Sequence, residues 1–208
     1  MSQILSAVYP PTKTLLVTGF EPFGGQAVNP SWEAVSRLPD VIGGFRIVKA
    51  RLPVVFGGAG EAALKAFEAA GADDALCVGQ AGGRAALTPE MVAINLRWAS
   101  APDNAGLSPH DEPVVPGGPA AYFSTLPVRA MAEAAAGAGV PASVSYSAGA
   151  YVCNDLMYTL LNALHGTRHR AGFVHVPFLP EQARDGQPYM SLDDIIAGIC
   201  AMIEAISG

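Results

Sequence analysis

Ser143–Phe178 reads SVSYSAGAYVCNDLMYTLLNALHGTRHRAGFVHVPF, and the fold class turns on how this stretch is parsed. Its first five residues form a short β-prone run. A Gly-containing turn follows, and then Leu156, Leu160, Leu161 and Leu164 recur at helical spacing until His165 and Gly166. Ala171–Phe178 is a second short apolar run. Strand 143–147, a helix from about 153 to 164 and strand 172–176 make one βαβ unit, whose handedness rule predicts parallel strands. Cys153 then opens the helix and His175 lies toward the end of the second strand, so both face the carboxyl edge. Unpaired N–H groups and the positive end of the helix dipole predict a lowered thiol pKa and a usable sulfur nucleophile. The plainer alternatives are a buried structural cysteine and a satisfied core histidine. The 22-residue separation suits a single crossover and favours a Cys–His pair.

Outward from this unit, strand and helix patterns alternate. Thr14–Thr18 is apolar and partly β-branched, the pattern of a strand buried on both faces. The Gly- and Pro-rich segment after it carries Phe20 and Phe23, expected either as ligand walls on a loop or as rings folded back on the core. Asn29-Pro30 predicts the N-cap and first residue of a helix through Trp32, Val35 and Leu38. Phe45–Val55 reads as a strand leading into a turn, Gly60–Ala70 as an Ala-rich helix ended by Gly71, and Ala75–Val78 as another buried strand. Gly79–Asn95 leaves that strand through glycines, with Gln80, Arg84 and Glu90 as polar content. Glu90 reads either as a cap or surface residue or as a partly buried carboxylate needing a hydrogen-bonded partner. Ser100–Pro119 is a long aperiodic excursion, either over the site or at an oligomer contact. Helices are expected over 127–138 and 191–206, the second capped by Ser191 with Cys200 on its apolar side. The expected fold is therefore one α/β domain over residues 1–208, a three-layer α/β/α sandwich on a mainly parallel twisted sheet. Ligands bind such sheets outside the carboxyl ends of the strands.

Composition narrows the function. Of 208 residues 50% are hydrophobic and 14% charged, enough to build a sizeable core. A net charge of -6 without any Lys/Arg cluster argues against nucleic acid or an anionic membrane as partner, and favours a small molecule or a peptide. Cys77, Cys153 and Cys200 are odd in number, far apart and without CxxC spacing, so neither disulfides nor zinc are expected and a reducing cytoplasm fits. His165 and His169 lack the unbroken helix that metal spacing would need and are read as surface residues. No metal and no cofactor are called for. The start lacks a basic n-region and an uninterrupted apolar core, and no apolar run reaches the roughly 18–20 residues of a membrane span. The first loop has neither GxxxxGK[ST] nor GxGxxG, which weakens a nucleotide reading.

Five segments in order resemble the pyroglutamyl peptidase I, or pyrrolidone-carboxylate peptidase, family of cysteine exopeptidases: TGFEPFGG (18–25) with Asn29–Ala34, VGQAGGR (78–84) with EMVAIN (90–95), SAGAYVCN (147–154), HVPFLPEQ (175–182) and MSLDDI (190–195). They span nearly the whole chain. The resemblance implies a triad of Cys153 as nucleophile, His175 as base and then acid, and Glu90 as the group orienting the imidazole. It implies removal of an N-terminal 5-oxoproline residue from peptides, with Phe20, Phe23 and Val152 walling the lactam ring and backbone groups near Gln80 meeting its amide. A homotetramer is likewise implied by resemblance only. Family members usually carry an arginine shortly before the Pro-Asp-Asn that matches Pro102–Asn104. Ser100 stands there in this chain, so either Arg97 or Arg84 substitutes, or activity and specificity are altered. The alternatives are a pyroglutamyl- or lactam-binding homologue of weak activity and a related hydrolase or phosphorylase of small ligands. The latter lacks any basic loop to cradle phosphate.

Overall fold

The computed structural model describes residues 11 and 13–207. Most of the start on which the leader reading rests lies outside them. Eight strands and five helices follow in order: β1 (Lys13–Phe20), α1 (Pro30–Ser36), β2 (Val41–Ile42), β3 (Phe45–Leu52), α2 (Gly58–Ala70), β4 (Asp74–Gln80), β5 (Thr88–Pro89), β6 (Val92–Ile94), β7 (Ala121–Phe123), α3 (Val128–Gly137), α4 (Val152–Ala163), β8 (Arg170–Val176) and α5 (Leu192–Ser207).

The main sheet has the order β2-β3-β1-β4-β8-β5. Its four inner strands are parallel, and the two-residue edges β2 and β5 run antiparallel to their neighbours. Strands β1, β4 and β8 are buried almost throughout, as a sheet covered on both faces requires. One face packs α1, α3 and α5 through Val35, Met131 and Ile199. The other packs α2 and α4 through Phe67, Leu156 and Leu160. This is the expected three-layer α/β/α arrangement. Truncating a fully buried leucine such as Leu156 to alanine should cost about 2–5 kcal/mol.

Local chemistry accounts for the helix ends. Asn29 caps α1, its Oδ1 accepting from Ser31 N at 3.1 Å, with Pro30 in the first turn. Gly71 closes α2 in the left-handed conformation at φ 57°. Ser191 Oγ accepts from Asp194 N at 3.1 Å at the start of α5.

Two expectations are corrected. Phe20 is the last residue of β1 rather than part of the loop. The predicted strand 143–147 does not join the sheet as the first arm of a parallel βαβ unit. Residues 141–145 run alongside β5 instead, through Leu87 N to Pro141 O at 2.9 Å, Ser143 N to Leu87 O at 3.1 Å and Ser145 N to Pro89 O at 2.9 Å. The bridges to Leu87 and Glu90 are parallel and β5 is antiparallel to β8, so this segment also opposes β8. The reason lies in its side chains: Ser143, Tyr146 and Ser147 are exposed, which suits an edge and not a strand covered on both faces. A two-stranded antiparallel sheet of β6 and β7, absent from the sequence pattern, completes the fold.

Candidate active site

The parallel strands end together. Phe20, Gln80 and Val176 close β1, β4 and β8 at one rim, and the first turn of α4 lies over it. That turn is held by the two residues after Cys153, both fully buried. Asn154 accepts from Ile94 N at 2.9 Å and donates to the carbonyls of Ile94 and Leu96 at 2.9 and 3.0 Å. Asp155 accepts from Gly57 N at 2.7 Å and from Arg97 Nε.

Gly79 explains how the thiol comes so close to the sheet. A Cβ built there would stand 3.0 Å from Cys153 Sγ and 2.6 Å from the Phe173 ring, so any larger residue would push the sulfur away. Gly79 is the register partner of His175 on the neighbouring strand, about 4.8 Å away across a sheet. Thiol and imidazole are thus neighbours, and both line the same cavity.

Behind the imidazole, His175 Nδ1 lies 2.7 Å from Glu90 Oε1. An ionised carboxylate only accepts, so Nδ1 carries the proton and Nε2 is left as the free acceptor. Arg84 Nη1 reaches the same Oε1 at 2.7 Å, and the guanidinium also donates to Thr88 Oγ1 and to the Ser147 carbonyl. Glu90 Oε2 has no hydrogen-bond partner among the described residues.

The charges follow from this geometry. Burial alone would raise the Glu90 carboxyl, but the hydrogen bond and charge of His175, with the Ser145 hydroxyl and Arg84, hold it below its ordinary value. Burial lowers the His175 pKa and Arg84 lowers it further, against the opposing pull of Glu90, so the imidazole is neutral. The Cys153 thiol is pushed up to about 12, first by burial and then by Glu90 and Cys77, against smaller opposing effects of Arg84 and its own backbone N–H. This corrects the expected low pKa: at this site desolvation outweighs the helix terminus. Burial thus favours the uncharged form of both the thiol and the imidazole.

The cavity in front of them has a volume of about 120 Å³. Drug-sized sites hold about 300–1,000 Å³, so this one suits a single small ring. Phe20, Phe23, Val54, Ala148, Tyr151 and Val152 form its apolar wall, and Asn29 and Gln80 are its polar members besides Cys153 and His175. Of the candidate site residues, Phe20, Phe23, Gln80, Val152, Cys153 and His175 line this cavity, and Glu90 stands behind His175. Neither arginine considered as a substitute at position 100 lines the cavity: Arg97 is committed to Asp155 and Arg84 to Glu90. Val54, Ala148 and Tyr151 were not singled out. Tyr151 lay within the SAGAYVCN segment two residues from the thiol, which was the available signal. Among the described residues, no cluster of three or more His, Cys, Asp or Glu could hold a metal ion, and no helix is long and apolar enough to cross a membrane.

A thiol and an imidazole lining one apolar pocket on a parallel α/β sheet, with a carboxylate bonded to the imidazole, form an arrangement that thiol-dependent hydrolases use. Comparison with known proteins narrows the class. The family model described as pyroglutamyl peptidase matches residues 13–208. The pyrrolidone-carboxylate peptidase of Levilactobacillus brevis is 52% identical over 196 residues, covering 92% of this chain and 96% of the relative. That of Thermococcus onnurineus is 49% identical over 185 residues, covering 88% and 92%. Among solved structures, pyroglutamyl peptidase I of Bacillus amyloliquefaciens superposes with a TM-score of 0.91 at 44% identity, covering 94% of this chain and 97% of that one. The chain belongs to the pyroglutamyl peptidase family, a family of cysteine peptidases.

Proposed function

We propose that this protein removes an N-terminal pyroglutamyl residue from peptides through an acyl-enzyme on Cys153, with His175 as general base and Glu90 as the group that orients it. The observation that carries the reading is the shared cavity of Cys153 and His175, backed by the 2.7 Å contact from His175 Nδ1 to Glu90 Oε1. His175 Nε2 takes the thiol proton as Sγ attacks the pyroglutamyl carbonyl. This forms an oxyanion and an imidazolium that the Glu90 carboxylate stabilises. The helix cap Tyr151 makes no side-chain bond to the first turn of α4, and of that turn's N–H groups Asp155 N donates to Tyr151 O at 3.1 Å, which leaves those at Val152, Cys153 and Asn154 as candidate donors for the oxyanion. The imidazolium then protonates the departing amine. Water, deprotonated by the same imidazole, releases 5-oxoproline.

Selection of the lactam follows from the lining. The pocket offers no permanent charge, so an ordinary N-terminal ammonium would lose its hydration without compensation, whereas an uncharged ring amide would not. Gln182 Nε2 donates to Gln80 Oε1 at 3.1 Å, which occupies the amide oxygen and leaves the amide nitrogen of this cavity-lining residue as a donor for the lactam carbonyl. Amine release from a pyroglutamyl dipeptide amide tests the proposal. The wild type should turn over and lose activity on thiol alkylation, while Cys153→Ser should fold normally and lose at least about 10³-fold in kcat. Undiminished turnover by Cys153→Ser would refute it.

A further inference from the structure

Beyond the wall formed by Phe23 and Tyr151, whose ring centroids are 6.4 Å apart, lies a second chamber of about 380 Å³. The two rings belong to both chambers. The far side is built from Trp98, Ala101, Pro102 and Ala150, and the described lining carries no charged side chain. Two hydrogen bonds fasten this side to the start of α4: Trp98 N to Ala150 O at 3.0 Å and Tyr151 Oη to Pro102 O at 3.1 Å. The chambers differ in depth. The inner one is walled by Phe20, Val54 and Val152, each at most 3% exposed, whereas in the outer one Trp98 is 45% exposed and Ala101 and Pro102 are open to solvent.

Depth fixes the direction of the substrate. On the proposed peptidase reading, on which this inference rests, the lactam ring fills the inner chamber and its carbonyl meets Sγ. The following residue must then project outward, past the two shared rings. We infer that the outer chamber is the subsite for the side chain of the residue after pyroglutamate, and that it selects large apolar or aromatic residues there. An aromatic side chain entering it gains buried apolar area and contact with the half-exposed Trp98 indole, which packs T-shaped against His110 at 6.1 Å. An aspartate or lysine in that position gives up hydration with no counter-charge on the lining.

The test measures kcat/KM for pyroglutamyl-X-amides with X = Phe, Leu, Ala, Asp and Lys. Phe and Leu should exceed Ala about tenfold, equivalent to about 1.4 kcal/mol, with Asp and Lys below Ala. Trp98→Ala should erase most of the Phe advantage. Ala101→Asp should lower the Phe-to-Lys ratio at least about tenfold, and continued cleavage of the Ala substrate shows that each variant is folded. A profile flat across X with turnover intact overturns the subsite and leaves the peptidase reading standing. So does a profile flat in both variants whose sedimentation changes instead, since the chamber then seats a second copy of the chain. Failure of the wild type to cleave any of the five overturns the peptidase reading, and the subsite with it.

Discussion

Glu90 and Asp155 are both fully buried carboxylates, and each takes an arginine whose side chain reaches partly to solvent, Arg84 and Arg97. They differ in how their oxygens are used. Asp155 spends one oxygen on Arg97 and the other on Gly57 N, so both are partnered. Glu90 loads both the guanidinium and the imidazole onto Oε1 and leaves Oε2 without a partner among the described residues. A buried carboxylate therefore does not declare its role by burial or by an arginine partner. Asp155 joins α4 to the loop before α2 and is structural. Glu90 touches a ring that opens onto a cavity, so its charge can act on a proton transfer.

Three substitutions test this contrast. The largest effect is expected at Glu90→Gln, which keeps the shape but removes the charge that, on the proposed mechanism, fixes the Nδ1–H tautomer and stabilises the imidazolium. Its kcat should fall about 10³–10⁴-fold, equivalent to about 4–5.5 kcal/mol, in protein that is still folded. Asp155→Asn should do the reverse. Losing the charge opposite Arg97 should destabilise the fold by about 3–5 kcal/mol in denaturant titration, while kcat of the remaining folded protein stays within about threefold of wild type. If both variants lost activity and stability alike, the distinction would fail.

The smallest effect is expected at Arg84→Gln. Arg84 lowers the imidazole pKa, and a protonated His175 cannot take the thiol proton, so activity is lost as pH falls through that pKa. In the wild type the acid limb of kcat/KM should lie below the ordinary histidine value of 6.5. Without the guanidinium the imidazole pKa rises, so the limb should move to higher pH. An acid limb that stays in place would make Arg84 a structural partner only.

Much of this was legible in the sequence, for identifiable reasons. Strands β1, β4 and β8 announce themselves as short apolar runs because both their faces are covered, and α2, α3 and α5 through propensity and caps. Cys153 and His175 stood out as a thiol at a helix start and an imidazole at a strand end, both local features. Glu90 did not, because its position depends on β5, a two-residue edge with no periodicity, and on pairing across 85 residues. The segment 143–147 showed a β-prone pattern but not its partner, since a strand pattern carries no information about which edge it will meet. The thiol pKa was misjudged for a related reason: a helix terminus can be read from sequence, but the burial that opposes it comes from Gly79 and Phe173, on other strands. The outer chamber draws its walls from residues 23–24, 98–102 and 150–151 and has no linear signature at all.

The central claim is that Cys153 carries the pyroglutamyl group during turnover, and acid-quenched intact-mass and peptide mapping during steady-state cleavage of a pyroglutamyl peptide tests it most directly. The expected result is a protein heavier by one pyroglutamyl group, on the peptide containing Cys153, more abundant in Glu90→Gln if deacylation slows more than acylation and absent from Cys153→Ser. Turnover with that group on Cys77 or Cys200, or with Cys153 alkylated and unlabelled, would contradict it.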